Sequence, residues 1–217
     1  MRRFTHQLLH LLFPSSFAGD NLRKGYPYQD VTFVPKAYPG DAIPWIAFGS
    51  TRENYERWIP EICGICCLKM VGDTFGITDN LSLYELTLKC LNKGGFKIKK
   101  DGSIEGIFHR PLVRLARELG LEGSVEKKLG VDRVIKHLEN NRFAILSIDL
   151  RKATESFKGT HLILVHAYSR EERRFIVHDC AYALGKEGCG ILVSHDELAH
   201  ISNERGMILW KQLPENA

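Results

Sequence analysis

The hydrophobic pattern indicates a buried helix in the middle of the chain. From near Cys63 to near Gly76, side chains recur at the three- and four-residue spacing of one helix face. These side chains are Cys66, Cys67, Met70, Val71 and Thr74. Similar patterns predict further helices at residues 81–92, 110–119 and 131–139. The middle of the chain is therefore predicted to form a helical layer.

The period changes in the C-terminal third, where short apolar runs alternate with charged or glycine-containing turns. The runs cover residues 143–150, 161–168, 175–179, 191–194 and 207–210. Runs of this length and spacing are typical of strands joined by short turns, so they predict an antiparallel sheet. Helices followed by strands in one chain predict an α+β fold with segregated layers.

The first part of the chain is predicted to be an arm that wraps around the domain. Residues 1–60 are rich in Pro, Gly, Tyr and Trp, and they contain one strand-like run at residues 31–34 among loop signals. We expect an N-terminal arm or helix over residues 1–29 and one domain over residues 30–213. The chain begins with the basic, apolar and small-residue order of a secretory signal, but polar residues interrupt its apolar part. This favours an amphipathic helix in a cytoplasmic protein, with secretion as the alternative.

The composition of the chain argues against some classes of function. The chain has 217 residues, of which 44% are hydrophobic, and this is enough for a packed core. The formal net charge of +4 is scattered along the chain and forms no basic stripe, which argues against a nucleic-acid partner. No run approaches the roughly 18 consecutive apolar residues of a membrane span, so we expect no membrane-spanning helix.

Among the cysteines, the position of Cys63 indicates a reactive thiol. Six cysteines could form three disulfides, but a chain of this size does not need them, and we expect reduced thiols. Cys63 opens the predicted central helix, where free backbone N–H groups and the helix dipole favour a thiolate. Gly64 is expected to let a substrate backbone approach that sulfur. Cys66 and Cys67 are expected to face the core, and burial of all three thiols as small core residues is the alternative.

A histidine and a carboxylate are predicted to meet on the hairpin formed by the second and third strand-like runs. The short polar turn between these runs sets residue 163 opposite Asp179, so His161 and Asp179 become diagonal neighbours on one face. A shift of one residue would present His178 instead. Together with Cys63, they would supply the thiolate, imidazole and carboxylate that acyl transfer requires.

Four segments carry a combined motif: CGICCLKM at residues 63–70, GTHLILVHAY at 159–168, FIVHDC at 175–180 and HDELAHISNERGMILW at 195–210. Together they resemble the bacteriocin-processing, double-glycine-leader type of papain-like cysteine peptidase, over about residues 30–211. The resemblance implies a papain-like α+β fold in which the nucleophile helix packs on the sheet. It also implies that Cys63 is the nucleophile, His161 the base and Asp179 the group that orients the base.

The resemblance also implies a peptide or protein substrate and no cofactor. No transporter segment is visible in the sequence, so leader cleavage would require an exporter on a separate chain. The family carries a glutamine six residues before the cysteine, where it helps to hold the oxyanion, and Arg57 stands at that position here. Arg57, or Asn54 through a shifted loop, is the candidate replacement. Loss of one such donor costs about 10²–10³ in turnover.

Two other functions stay open at this point. A papain-like acyltransferase, or a catalytically impaired peptide-binding module, would keep the fold without hydrolysis. A structural zinc site is less favoured, because the sequence has only one tight Cys-x-x-Cys pair. Its ligands would be Cys63 and Cys66 with either Cys180 and Cys189 or His161 and His178.

Overall fold

The structure is a computed structural model that describes residues 31–36, 44–153, 159–184 and 187–212. The predicted arm or helix over residues 1–29 lies outside these ranges. The elements in chain order are α1 (Pro44–Phe48), α2 (Arg52–Trp58), α3 (Cys63–Thr74), α4 (Leu83–Asn92), β1 (Phe96–Ile98), β2 (Ile104–Gly106), α5 (His109–Glu118), β3 (Glu122–Glu126), α6 (Val131–Glu139), β4 (Phe143–Asp149), α7 (Leu150–Ala153), β5 (Thr160–Ser169), β6 (Arg174–His178), β7 (Ile191–Ser194), α8 (His195–Ile201) and β8 (Ser202–Trp210). In this described part of the chain, no helix combines the length and the apolar character needed to cross a bilayer.

Helix α3 forms the centre of the helical layer. All of its residues from 64 to 72 are buried, so the helix is enclosed on every side instead of burying only one stripe. Even Lys69 lies inside, where its Nζ donates hydrogen bonds to Asp73 Oδ1 at 2.8 Å and to the Thr78 carbonyl oxygen at 3.1 Å. A buried ammonium needs such partners, because an unpaired charge in the core is costly.

The prediction of loops in the first part of the chain is wrong for residues 44–58, because this range contains α1 and α2. Pro44 occupies the first position of α1, where a missing N–H leaves no helical hydrogen bond unmade. Helix α2 begins after Thr51, whose hydroxyl oxygen accepts a hydrogen bond from the Asn54 N–H at 3.3 Å. The run at residues 31–34, expected as a strand, is not paired into a sheet.

The C-terminal part forms the predicted antiparallel sheet. Six strands lie in the order β3-β8-β4-β5-β6-β7, and every neighbouring pair is antiparallel. The predicted strands do not include β3, because its sequence EGSVE lacks an apolar run. Strands β1 and β2 form a separate hairpin of three residues each.

Helices cover both faces of the six-stranded sheet. All seven residues of β4 are buried, and their side chains alternate between two hydrophobic clusters. Phe143 and Ile145 join the cluster around α3, α4 and α5. Ala144 and Leu146 join the cluster built with α6 and α8. The prediction of an α+β fold with a central helix packed on the sheet is confirmed, and α6 and α8 add a second layer behind the sheet.

Candidate active site

Cys63 is the first residue of α3 and is half-buried, whereas Cys66 and Cys67 on the next turn are fully buried. Ile62 precedes it as the N-cap residue and offers no side-chain acceptor to the first N–H groups of the helix. These N–H groups carry partial positive charge, so a negative charge on Cys63 is favoured at this position.

The hairpin of β5 and β6 sets His161 beside Asp179. Leu164 pairs with His178, and this register places residue 163 opposite Asp179 as predicted. The pairing shifts by one residue nearer the turn, which is a β-bulge that leaves the register at the site end unchanged. His161 Nε2 lies 2.7 Å from Asp179 Oδ1, which is a hydrogen-bond distance.

Asp179 follows directly after β6 and has no exposed surface. Its Oδ1 also accepts a hydrogen bond from the Ala181 N–H at 2.9 Å, and its Oδ2 accepts one from the Leu184 N–H at 2.8 Å. Burial acts to raise the pKa of the carboxyl group, but His161 and the two N–H donors outweigh it, so the pKa lies below its ordinary value. The carboxylate engages Nε2 of His161 and leaves Nδ1 of the ring for the thiol.

Cys63 and His161 each shift the pKa of the other. Burial acts to raise the pKa of the Cys63 thiol, but the hydrogen bond and charge of His161 bring it below its ordinary value. Burial acts to lower the pKa of His161, whereas its hydrogen bonds to Asp179 and Cys63 raise it to about 9. Opposite charges on sulfur and imidazole stabilise each other, so the lowered pKa of the thiol and the raised pKa of the imidazole both favour the thiolate–imidazolium form.

Two other thiols near the site, those of Cys67 and Cys180, have the opposite tendency. Cys67 Sγ donates to the Leu162 carbonyl oxygen at 3.6 Å, and Cys180 Sγ donates to the Cys63 carbonyl oxygen at 3.9 Å. Burial raises the pKa of both thiols well above the ordinary value. Cys67 and Cys180 therefore stay protonated and pack in the core, as predicted for Cys67.

The described ranges also contain a group of possible metal donors. The ligand atoms of His161, Asp179 and Cys180 lie within 4.8 Å of one another. This set differs from the predicted zinc ligands, of which Cys189 is exposed and His178 is hydrogen-bonded to backbone groups. The 2.7 Å between His161 and Asp179 is shorter than the roughly 3.3 Å between two ligands of a tetrahedral zinc ion. The geometry favours a direct hydrogen bond here over a shared metal ion.

Arg57 and Asn54, the candidate oxyanion donors, both lie on α2. The exposed guanidinium group of Arg57 lies 6.0 Å from the centroid of the Trp58 ring. Asn54 Nδ2 donates to Ser50 Oγ at 2.9 Å. Among the residues that the structure describes, neither side chain forms a hydrogen bond with the Cys63 side chain. The oxyanion role of Arg57 or Asn54 stays a prediction.

Gly64 is placed differently from the prediction that it leaves room for substrate. It is buried, and a Cβ atom there would lie 2.8 Å from Ile107 Cγ2 and 3.0 Å from Leu162 Cδ1. A real Cβ atom does not come this close to another carbon. The glycine therefore lets α3 pack closely against β5 and against the loop before α5.

Lys36 lies near Cys63, and the sequence patterns do not identify it. Its backbone N–H donates to the Cys180 carbonyl oxygen at 2.9 Å, and its Nζ donates to the Pro60 carbonyl oxygen at 2.9 Å. Its positive charge acts to lower the pKa of Cys63. Lys36 is far from Cys63 along the chain, in a loop-rich region, so residue spacing gives no signal for this contact.

Three solved structures are similar to this chain at low identity. A double glycine motif protease from an AMS/PCAT transporter, in complex with the leader peptide, is 15% identical with a TM-score of 0.46, over 69% of this chain and 84% of that chain. A putative C39-like peptidase from Bacillus anthracis is 15% identical with a TM-score of 0.48, over 73% and 94%. The peptidase domain of Streptococcus ComA, a bi-functional ABC transporter involved in a quorum sensing pathway, is 16% identical with a TM-score of 0.47, over 70% and 93%.

The sequence also matches a family model over a long range. No curated protein matches the sequence. Residues 47–189 match the model of the Peptidase_C39 like family. This range includes α3, β5 and β6, the three elements that position Cys63, His161 and Asp179, and it covers more than half of the chain. The chain therefore belongs to the Peptidase_C39 like family, which confirms the resemblance of its motifs.

Proposed function

We propose that this protein is a cysteine peptidase in which Cys63 is the nucleophile, His161 the general base and Asp179 the residue that orients the imidazole. The observation that carries the proposal is the 2.7 Å hydrogen bond between His161 and Asp179, with the His161 ring lowering the pKa of the Cys63 thiol. Membership of the Peptidase_C39 like family supports the same chemistry.

The reaction follows from the charges of the three groups. The Cys63 thiolate attacks the carbonyl carbon of an amide, and the carbonyl oxygen becomes an oxyanion. When the C–N bond breaks, the His161 imidazolium gives its proton to the leaving amine, and a thioester remains on Cys63. His161 then accepts a proton from water, whose oxygen attacks the thioester. Release of the acid restores the thiolate and the imidazolium, and Asp179 keeps the ring oriented throughout.

A peptide or protein is the proposed substrate. One structural neighbour was solved with a leader peptide, and another is the peptidase domain of an ABC transporter, so a peptide leader is the substrate class to test first. No cofactor is needed, because the thiolate and the imidazole supply both the nucleophile and the proton transfers.

A peptide-library digestion tests the proposal. Peptides that contain a double-glycine site should be cleaved by the unchanged protein, and the products should be identified by mass spectrometry. Cys63→Ala should abolish cleavage, whereas the matched control Cys189→Ala, at an exposed thiol away from the helix terminus, should keep it. Full cleavage by a folded Cys63→Ala variant would refute the assignment.

The same experiment separates hydrolysis from acyl transfer. The acyltransferase alternative is supported by the position of Arg57, which stands where the family has a glutamine and lies over Trp58. When an amine acceptor is added, an acyltransferase would form the amide product faster than the free acid. A peptidase would release mainly the free acid, with oxygen from water in the new carboxylate. A binding module would bind the peptide but form no thioester on Cys63.

A further inference from the structure

A short segment connects the two ends of α3. At the helix C-terminus, the Thr32 N–H donates to Thr74 Oγ1 at 3.3 Å. At the helix N-terminus, Lys36 is bonded through its backbone to Cys180 and through its side chain to Pro60. The segment of residues 31–36 is thus fixed along the helix that carries Cys63.

The two bonds of Lys36 hold its ammonium group at the loop that leads into Cys63. Its Nζ donates to the Pro60 carbonyl oxygen at 2.9 Å, three residues before the nucleophile. Its backbone N–H reaches Cys180, whose sulfur in turn donates to the Cys63 carbonyl oxygen at 3.9 Å. Lys36 is half-buried, so water screens its charge less than that of a free surface lysine.

We propose that Lys36 is a positioning residue for the nucleophile: its ammonium group, held on the Pro60 carbonyl oxygen, stabilises the negative charge of the Cys63 sulfur. The inference rests on the proposed function, because it assigns the residue through its effect on Cys63. It adds a cation from outside the proposed triad of Cys63, His161 and Asp179. The lysine precedes residues 47–189, the range matched by the family model.

Other charged groups around Cys63 do not replace this cation. His161 provides a positive charge on the β5 side, but Asp179 neutralises part of it through their hydrogen bond. Burial raises the pKa of Glu61, two residues before Cys63, and the charges of Lys36 and Lys99 act in the opposite direction. Lys99 lies 3.7 Å from Glu105 in an exposed ion pair.

The test measures how fast iodoacetamide alkylates Cys63 as a function of pH, with the modified peptide quantified by mass spectrometry. Lys36→Met removes the charge and keeps the length of the side chain. Lys36→Arg keeps the charge, and Lys36→Gln keeps an N–H donor on a neutral side chain. The matched control is Lys152→Met, because Lys152 is exposed and its Nζ also bonds to a backbone carbonyl oxygen, that of His200, at 3.1 Å.

The expected result is a shift of the midpoint of the alkylation profile to higher pH, since removal of a nearby cation raises the pKa of a thiol. Lys36→Met and Lys36→Gln should shift the midpoint by about 0.5–1 pH unit, whereas Lys36→Arg and Lys152→Met should leave it unchanged. If Lys36 had only a structural role, its substitution would lower the free energy of unfolding without moving the midpoint of the alkylation profile.

The outcomes separate this inference from the proposed function. A midpoint that stays unchanged in whichever neutral variant folds would overturn the role of Lys36 alone. An unchanged protein whose Cys63 titrates like an ordinary thiol would overturn the proposed function, and with it the role of Lys36.

Discussion

Cys63 and Cys67 lie one turn apart on the same helix, yet their surroundings shift the pKa values of the two thiols in opposite directions. Burial raises the pKa of Cys67 well above the ordinary value, and the sulfur donates to a backbone carbonyl oxygen. Burial also acts on Cys63, but the hydrogen bond and charge of His161 overcome it. The difference teaches that a helix position alone does not make a reactive thiol, because the partner on the facing strand decides the direction.

The same contrast separates His161 and His178, two of the three histidines on the hairpin of β5 and β6. His161 faces Cys63 and Asp179, which raise its pKa to about 9. Burial lowers the pKa of His178, and its Nε2 donates to the Val31 carbonyl oxygen at 3.0 Å, so it stays neutral. Neighbouring strands thus carry one histidine suited to proton transfer and one that fastens the segment of residues 31–36 to the sheet.

The largest expected effect comes from removing the partner that distinguishes Cys63 from Cys67. His161→Ala should lower kcat/KM for peptide cleavage by about 10⁴, because the thiol loses both its base and its counter-charge. Without the imidazole, burial should dominate and raise the pKa of Cys63 toward that of Cys67. Steady-state kinetics and the alkylation rate check these two effects. His200→Ala, at an exposed position, is the control and should keep full activity.

A smaller effect is expected at the carboxylate. Asp179→Asn removes the negative charge that helps to raise the pKa of His161, so the pKa of the imidazole should fall. In the unchanged protein, activity should decline as pH rises through about 9, where the imidazolium loses the proton that the leaving amine needs. In the variant this decline should move to lower pH, and kcat should fall by about 10²-fold. A pH–rate profile with an unchanged alkaline limb would contradict the role of Asp179.

The smallest effect is expected for the thiol in the core. Cys67→Ala removes the weak hydrogen bond to Leu162 and leaves a small void, so the free energy of unfolding should fall by about 1–2 kcal/mol. Peptide cleavage should stay within about twofold, because Cys67 takes no part in the proton transfers. Chemical denaturation and steady-state kinetics measure the two quantities. A large loss of turnover in a stable variant would show that the contrast between the two thiols is wrong.

Much of the fold could be predicted, because its central elements bury long and regular apolar patterns. Helix α6 and strand β7 have the predicted bounds, and α3 begins at the predicted residue. The helices of residues 44–58 were missed because they are only five and seven residues long, too short for a clear helical period, within a region where Pro, Gly, Tyr and Trp indicate loops. Strand β3 was missed because its pairing with β8, and not its own composition, makes it a strand.

The candidate site was predictable where one local rule applied and unpredictable where tertiary packing decided. The turn between β5 and β6 set the register that brings His161 to Asp179. By contrast, the close packing around Gly64 depends on Ile107 and Leu162, which no local pattern connects to it. Lys36 was missed for the same reason, because only the folded chain brings it to Pro60.

Thiolate absorbance in the ultraviolet, followed as a function of pH, tests most directly whether Cys63 ionises below the ordinary thiol range while the buried thiols Cys67 and Cys180 do not. We expect one ionisation step in the unchanged protein that lies below the ordinary thiol range near about 8.5, because the pKa of Cys63 is lowered. This step should disappear in Cys63→Ser and persist in Cys67→Ala. A titration in which no thiol ionises until the ordinary range or above, or in which the early step survives in Cys63→Ser, would contradict the account.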